Sequence, residues 1–380
     1  MLTPKYLSTV ASNVINLYED VEDEILKDIA RRIRKENKVT ATAERQMEVL
    51  IENGYSYEKL EEKLEPYLND IENELENVLN ESGIKHYANE KKAYERANKN
   101  LIDYTKNDRA HKITRQIRTE LLNNNKILTN SIGLAYDGKS FKLNDFYKKQ
   151  LNKSILMVGS GAFDRETATR KLINNLGDSG IRAINYNQSG RNYSLESASR
   201  MLVRTAVSQM TGKISLMNAE DMGQDLMELT AHSGARPSHS VWQGKIVSLS
   251  GKNSKYLSLE DIEYGEVTGF KGANCRHDWY PFFEGISERS YSDEELEEID
   301  PPPFEYEGET YTQYQATQKA RQMERGIRKY KKRSIMYKEM GDDDALLVNK
   351  SMMKQQYNKY RDFIDVADLK PRYGSMYVYQ

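Results

Sequence analysis

The chain has 380 residues, 38% hydrophobic and 30% charged, with a formal net charge of −2. That length predicts two or three domains, and the polarity suits long two-faced helices with much exposed surface. The near-zero total gives no electrostatic reason to expect nucleic-acid or membrane binding. One cysteine, Cys275, excludes an intramolecular disulfide and fits a reducing cytoplasm. The first twenty residues carry no apolar signal core, and no apolar run approaches the roughly 20 residues of a membrane span.

Thr3-Pro4 reads as an N-cap followed by proline at the first helical position. Val14, Leu17, Val21, Ile25, Ile29 and Ile33 then recur every three or four residues, the spacing of one helix face. A second stripe runs through Leu60, Leu64, Leu68, Ile71, Leu75 and Leu79, with Pro66 inside it, where a kink or a fresh start is expected. Ser82-Gly83 reads as the stop. Residues 108–136 and 143–157 read as further helices. Val158-Gly-Ser-Gly-Ala-Phe-Asp164 lacks both the third glycine of a dinucleotide loop and the Lys-Ser/Thr of a P-loop. It reads as a loop whose Asp164 caps the next helix.

Near residue 180 the character changes. Residues 181–186 and 191–194, separated by Asn187-Gln-Ser-Gly190, read as strand-turn-strand, followed by a helix from about Leu195 to Met217. Asp225 to Ala231 alternates polar and apolar, as a half-buried strand does. Turn residues then dominate to about Gly285. Residues 284–309 hold eleven acids against one arginine, with Pro301-Pro302-Pro303 as an extended spacer. Residues 319–338 reverse the sign, with nine bases against one acid. Gly341 ends that helix, and a last one carrying Tyr357, Tyr360 and Phe363 returns along it as a hairpin. The fold expected is α+β and predominantly helical: long amphipathic helices at both ends flank a small loop-rich α+β core. The divisions are a helical region 1–180, a compact core 181–290, and an acidic linker with a helical hairpin 291–380.

The chemistry concentrates in that core. Three of the five histidines, the cysteine and both tryptophans fall between Thr230 and Phe283. His232, His239, Cys275 and His277 offer three imidazoles and a thiolate, a donor set zinc accepts, although their spacing matches no zinc signature. Alternatively the cluster structures a glycine-shaped core: Arg236 and Arg276 tie loop carbonyls, Trp242 and Trp279 fill space, and Gly244 and Asn274 belong to the same structuring set. A third reading makes Cys275 and a histidine, or histidines with Asp221 or Asp278, the centre of a hydrolase. Arg325, Arg328, Lys329, Lys331, Lys332 and Arg333 form a basic stripe that would suit phosphates; the blander reading is a solvated face, partly neutralised by the acidic segment.

Two strings, His232-Ser-Gly-Ala-Arg-Pro-Ser-His239-x-x-Trp242-Gln-Gly244 and Gly272-Ala-Asn-Cys-Arg-His277-x-x-Tyr-Pro-Phe282, resemble the signature of the phage minor capsid protein 2 family, relatives of the Mu F-type head morphogenesis proteins. The start, Leu17-Tyr-x-x-x-Glu22-x-x-Ile25-x-x-Asp28-Ile-Ala-Arg-Arg32, is similar too. So is the tail, with Tyr311-Thr-x-Tyr-x-Ala-Thr-Gln318 and then Glu324-Arg-x-Ile-Arg-Lys329. The resemblance implies a low-copy structural part of the virion rather than an enzyme, at the portal vertex or inner capsid and made in the host cytoplasm. Its partners would be the portal protein or the major capsid protein, with packaged DNA as a further one and no membrane. The alternatives are a DNA-contacting head protein ejected with the genome, or a metal-dependent hydrolase with zinc as the candidate cofactor.

Overall fold

A computed structural model describes residues 1–36, 43–136, 139–147, 165–186 and 190–371. In chain order the elements are α1 Pro4–Thr9, α2 Ser12–Glu36, α3 Ala43–Arg96, α4 Asp108–Asn130, β1 Ile132–Tyr136, β2 Lys139–Lys142, α5 Arg165–Ser179, β3 Ile181–Ile184, β4 Asn192–Ser194, α6 Leu195–Met222, β5 Leu226–Leu229, α7 Pro237–Ser240, β6 Ile246–Ser248, β7 Leu257–Ser258, β8 Trp279–Pro281, α8 Asp293–Glu297, β9 Phe304–Tyr306, β10 Glu309–Tyr311, α9 Gln313–Met340 and α10 Asp343–Val366. The fold is α+β and predominantly helical. It forms two compact units that interleave along the chain: Met1–Val14, Glu72–Asn125 and Ser199–Gln318 in one, Ile15–Ile71, Lys126–Ala198 and Lys319–Gln380 in the other.

The first unit carries the sheet β7-β6-β5-β8. β5 pairs antiparallel with β6 (Met227↔Val247) and with β8 (Glu228↔Tyr280). All four β5 residues are buried, so the alternation that suggested a half-buried strand is covered on both faces. The polar residue of that alternation, Glu228, is fully buried and accepts a hydrogen bond from the Ser290 backbone N–H at 2.7 Å. Burial, only partly offset by such bonds, raises its carboxyl above the usual range. α3 runs on through Ser82-Gly83 to Arg96, where a stop was expected. A Cβ at Gly83 would sit 3.3 Å from the Tyr104 hydroxyl and 3.4 Å from Met210 Cε, so this glycine serves close packing rather than termination. Thr3 caps α1 as expected, accepting from Tyr6 N at 3.2 Å.

The second unit holds the sheet β2-β1-β3-β4. Residues 132–136 form its strand β1 instead of extending α4. A Cβ at Gly133 would lie 2.1 Å from the Phe141 carbonyl oxygen: the glycine is there to let two strands cross closely. β3 and β4 pair antiparallel, as the strand-turn-strand pattern implies, while their turn at 187–189 lies outside the described residues. So does the Val158–Asp164 loop, with most of the helix expected over 143–157, of which Leu143–Asp145 is helical. α2 buries Val21, Ile25, Ile29 and Ile33 as expected, and also Tyr18, Leu26 and Ala30. α3 makes no fresh start at Pro66. Pro66 and Glu62 are both exposed, so the carbonyl that loses its N–H partner can turn to water. α9 and α10 form the expected hairpin: Gly341 adopts φ +74 between them, and buried Tyr360 donates to Glu324 Oε1 at 3.3 Å.

Residues 284–309 are more structured than a proline spacer. They contain α8, with a Ser292/Glu295 capping box, and β9, which pairs with β10. Among the described residues no helix is long and apolar enough to cross a membrane.

Candidate functional site

β5 delivers the chain into the first histidine string. Thr230 N–H donates to the Asp278 carbonyl at 2.8 Å, and His232 N–H to Gln243 Oε1 at 3.1 Å. Gly234 at φ +67 turns the loop, and Asp300 of the acidic segment fixes that turn by accepting from Ser233 Oγ at 2.8 Å and Gly234 N–H at 2.6 Å. Pro237, with its fixed φ and no N–H to satisfy, opens the single turn α7, which ends by presenting His239. Gly244, at φ +69, closes the string; a Cβ there would meet Leu296 Cδ2 at 2.4 Å.

The second string is shaped by backbone that side chains rarely tolerate. Lys271 and Asn274 both adopt positive φ, 63 and 59. Gly269 and Gly272 bring their Cα positions so near the Glu263 and Glu266 carbonyls that a Cβ would lie 2.0 Å from each oxygen. Arg236 donates to the Ala273 carbonyl, and Arg276 to the Gly234 carbonyl at 3.2 Å, so each arginine ties its own string to the other. Trp279 stacks on Tyr264, ring centroids 5.2 Å apart, and with Trp242 and Phe270 belongs to the core cluster that also encloses Cys275.

These loops gather His239, Cys275 and His277, whose donor atoms all lie within 4.8 Å of one another; all three are buried. His239 Nδ1 and His277 Nδ1 are 3.3 Å apart, and Cys275 Sγ is 3.7 Å from His277 Nδ1. The outer nitrogens are held by oxygens: His239 Nε2 lies 2.7 Å from the Thr268 carbonyl and His277 Nε2 3.2 Å from Gln243 Oε1. Trp242 covers both rings, at 4.6 Å from His239 and 4.9 Å from His277. His232, the fourth residue expected in the set, is outside this trio. Its ring stacks flat on His277 at 4.4 Å, and its Nδ1 is turned to the Ser233 carbonyl at 2.9 Å.

Burial sets the protonation states. It lowers His239 and pushes His277 well below the ordinary imidazole value, with the neighbouring His232 adding to the latter. His232 falls to about 4, again through burial and then through Arg276. Burial raises the Cys275 thiol. Neutral rings beside a thiol held above its usual range are not an activated nucleophile–base pair. The carboxylates suggested as orienting acids are engaged elsewhere. Asp221 pairs with Arg109. Asp278 accepts from the Leu2 N–H at 2.5 Å and from Lys271 Nζ, and lies 3.2 Å from His86 Nδ1.

That last group is a second buried polar cluster, which reading the sequence missed. His86 Nε2 lies 2.8 Å from Ser215 Oγ and 3.4 Å from Glu90, and Glu90 also accepts from Asn218 Nδ2 at 2.7 Å. Lys271, Asp278, His86 and Glu90 are each no more than 1% exposed. Burial alone would raise both carboxyls. Lys271 and His86 instead hold Asp278 well below its ordinary value, and His86 with Ser215 lowers Glu90. The available signal was His86-x-x-x-Glu90 at helical spacing opposite a row of small polar residues on α6: Ser208, Thr211, Ser215 and Asn218.

The basic stripe on α9 meets acids of its own unit. Arg328 pairs with Glu196 at 2.6 Å, Lys329 with Asp178 at 3.1 Å and Lys332 with Glu22 at 2.7 Å. Lys331 faces Glu19 at 3.6 Å, and Arg333 bonds Asp178; Arg325 is exposed. These partners come from α2, α5 and α6, not from the acidic segment.

The chain is 26% identical over 236 residues to a structural protein of Lactococcus phage LL-H, covering 60% of this chain and 59% of that relative. It is 27% identical over 122 residues to a structural protein of Lactococcus phage mv4, covering 32% of this chain and 89% of that relative. The chain thus spans about three fifths of the longer LL-H relative. No solved structure matches it. The family model described as phage minor capsid protein 2 matches residues 2–365, both histidine strings included. A match along nearly the whole chain settles the assignment: the chain belongs to the phage minor capsid protein 2 family.

Proposed function

We propose that this protein is a structural part of the phage head that acts at the portal vertex or on the inner face of the shell during assembly, with the portal protein or the major capsid protein as its partner. The observation that carries this reading is the family match over residues 2–365, supported by two relatives described as structural proteins. The packing adds a contact face. α10 buries Met353, Tyr360 and Phe363 in its own unit yet leaves Leu347 and Val348 70% and 60% exposed. Adjacent exposed apolar side chains of this size suit a protein partner better than DNA. Five of the six basic residues first considered for DNA are paired with acids of the same unit, which favours the protein-partner reading.

Removing the N-terminal helices would be a poor test, because Leu2 and Leu7 are core residues and Leu2 N–H bonds Asp278. A cleaner test counts copies of the chain in purified heads of the phage that encodes it and cross-links those heads. Few copies per head, cross-linked to the portal ring or the inner shell and lost with the surface change Leu347→Glu/Val348→Glu, are expected. A copy number equal to that of the shell subunit, or absence from heads, overturns the reading.

A further inference from the structure

The two facing imidazoles pose a chemical question. Thr268 offers a carbonyl oxygen, which can only accept, so His239 carries its proton on Nε2. Gln243 Oε1 is identified as the oxygen because it also accepts the His232 backbone N–H, so His277 likewise carries its proton on Nε2. Both Nδ1 atoms therefore present lone pairs, and they do so toward each other at 3.3 Å inside a buried cluster. With no proton between them, two such lone pairs repel. A thiol proton from Cys275 could satisfy His277 alone and would leave His239 facing it. A cation satisfies both, and takes the sulfur as well.

Two of the three donor–donor distances have the dimensions of a coordination shell. With metal–nitrogen bonds of about 2.0–2.1 Å and a metal–sulfur bond of about 2.3 Å, a tetrahedron places two nitrogens about 3.3 Å apart and a nitrogen and sulfur about 3.6 Å apart. The observed His239–His277 and Cys275–His277 separations are 3.3 and 3.7 Å; the third edge, between Cys275 and His239, lies within 4.8 Å, and a small rotation of the thiol closes it around an ion. Holding the far nitrogen of each ring with an oxygen acceptor is also the outer-shell arrangement that orients metal-bound histidines. We propose that His239 Nδ1, His277 Nδ1 and Cys275 Sγ bind one zinc ion, with a water as the fourth donor, and that the ion joins α7 to the loop leading into β8. Two nitrogens and one thiolate favour zinc over the hard, oxygen-seeking magnesium and calcium. Binding releases the thiol proton to solvent as the sulfur becomes a thiolate.

The test uses the full chain, purified without a histidine tag from zinc-supplemented cells, with zinc and iron measured by elemental mass spectrometry. About one zinc per chain is expected, with at least a roughly tenfold loss of occupancy in Cys275→Ser and His239→Gln and full retention in His232→Gln. Wild-type protein without zinc, or zinc retained in Cys275→Ser and His239→Gln, overturns the site. Loss in His232→Gln overturns the three-donor assignment. If the ligand variants fail to fold, cobalt added to metal-stripped wild-type protein decides: a thiolate-to-cobalt charge-transfer band supports the site and its absence overturns it.

Discussion

Lys271 and Asp278 form an ion pair in which neither side chain reaches solvent, on a lysine whose own backbone sits at φ +63. Such a pair offsets its desolvation only while both charges and their hydrogen bonds are in place. Here Thr211 accepts a second bond from Lys271 at 3.0 Å, and Leu2 and Trp279 donate backbone N–H groups to Asp278. Lys271→Met keeps the length of the stem but strands the carboxylate. It is expected to cost about 3–5 kcal/mol in a denaturant titration. A loss below about 1 kcal/mol would mean that water or His86 replaces the lysine.

The same pair makes the first unit acid-sensitive. Asp278 and Glu90 both have folded values below their ordinary ones. A depressed carboxyl contributes stability that is fully present above its unfolded value, near 4, and is lost as pH falls through the folded one. Stability should therefore hold down to about pH 4 on their account and then drop. Asp278→Asn and Glu90→Gln should each flatten that acid limb in melts followed across pH, while lowering stability at neutral pH.

Glu19 works in the opposite sense. Burial raises it to about 7 despite Lys331 at 3.6 Å, and its Oε1 has no hydrogen-bond partner among the described residues. A raised carboxyl penalises the folded state once ionised, so stability falls as pH rises from about 4.5 through 7. Asp23, raised by burial to about 6, adds to this trend. Glu19→Gln should stabilise the protein by roughly 2–3 kcal/mol at pH 8 and leave it unchanged at pH 4. Equal melting points at pH 8 would show that Lys331 compensates the charge.

Gly272→Ala would place a methyl group 2.0 Å from the Glu266 carbonyl oxygen, which is backbone and has little freedom to retreat. A loss of at least about 2 kcal/mol is expected, with the near-ultraviolet dichroism of the surrounding tryptophans changing too. The exposed Gly265→Ala, whose added Cβ meets nothing within 4 Å, is a control limited to the cost of its positive φ.

The paired stripe on α9 gives a fifth expectation. Since Arg328, Lys329, Lys331, Lys332 and Arg333 face acids of their own unit, binding to duplex DNA should be weak even at low salt. Tight binding with a steep salt dependence would show that DNA outcompetes those acids.

Periodicity was a sound guide where one face of an element is buried. The stripe of α2 and the hairpin of α9 and α10 follow from it, with Gly341 as punctuation. It misled where a residue has a neighbour the local sequence does not reveal. Gly83 looks like a helix stop, but Tyr104 and Met210 need its missing side chain. Gly133 sits in what looks like a continuing helix, but Phe141 needs the space. Glu228 marked β5 as half-exposed, because nothing nearby in sequence announces the Ser290 N–H that receives it. The histidine strings were legible as a cluster from the rarity of their residues. Which of them converge was not: the stacking that diverts His232 depends on ring orientation, and the Lys271–Asp278–His86–Glu90 group joins a helix to a loop far along the chain.

The clasp of the acidic segment over the first histidine string has an evolutionary consequence. A side chain at Gly244 would meet the tip of Leu296, on a backbone at φ +69 that already favours glycine, and the Ser233–Gly234 turn donates two hydrogen bonds to Asp300. Drift at these positions is thus tied in pairs. A family member that gains bulk at 244 must move or shed it at 296, and one that loses the carboxylate at 300 must find another acceptor for that turn. The stretch that looks in composition like a freely varying tether should mutate in step with the part of the chain it holds.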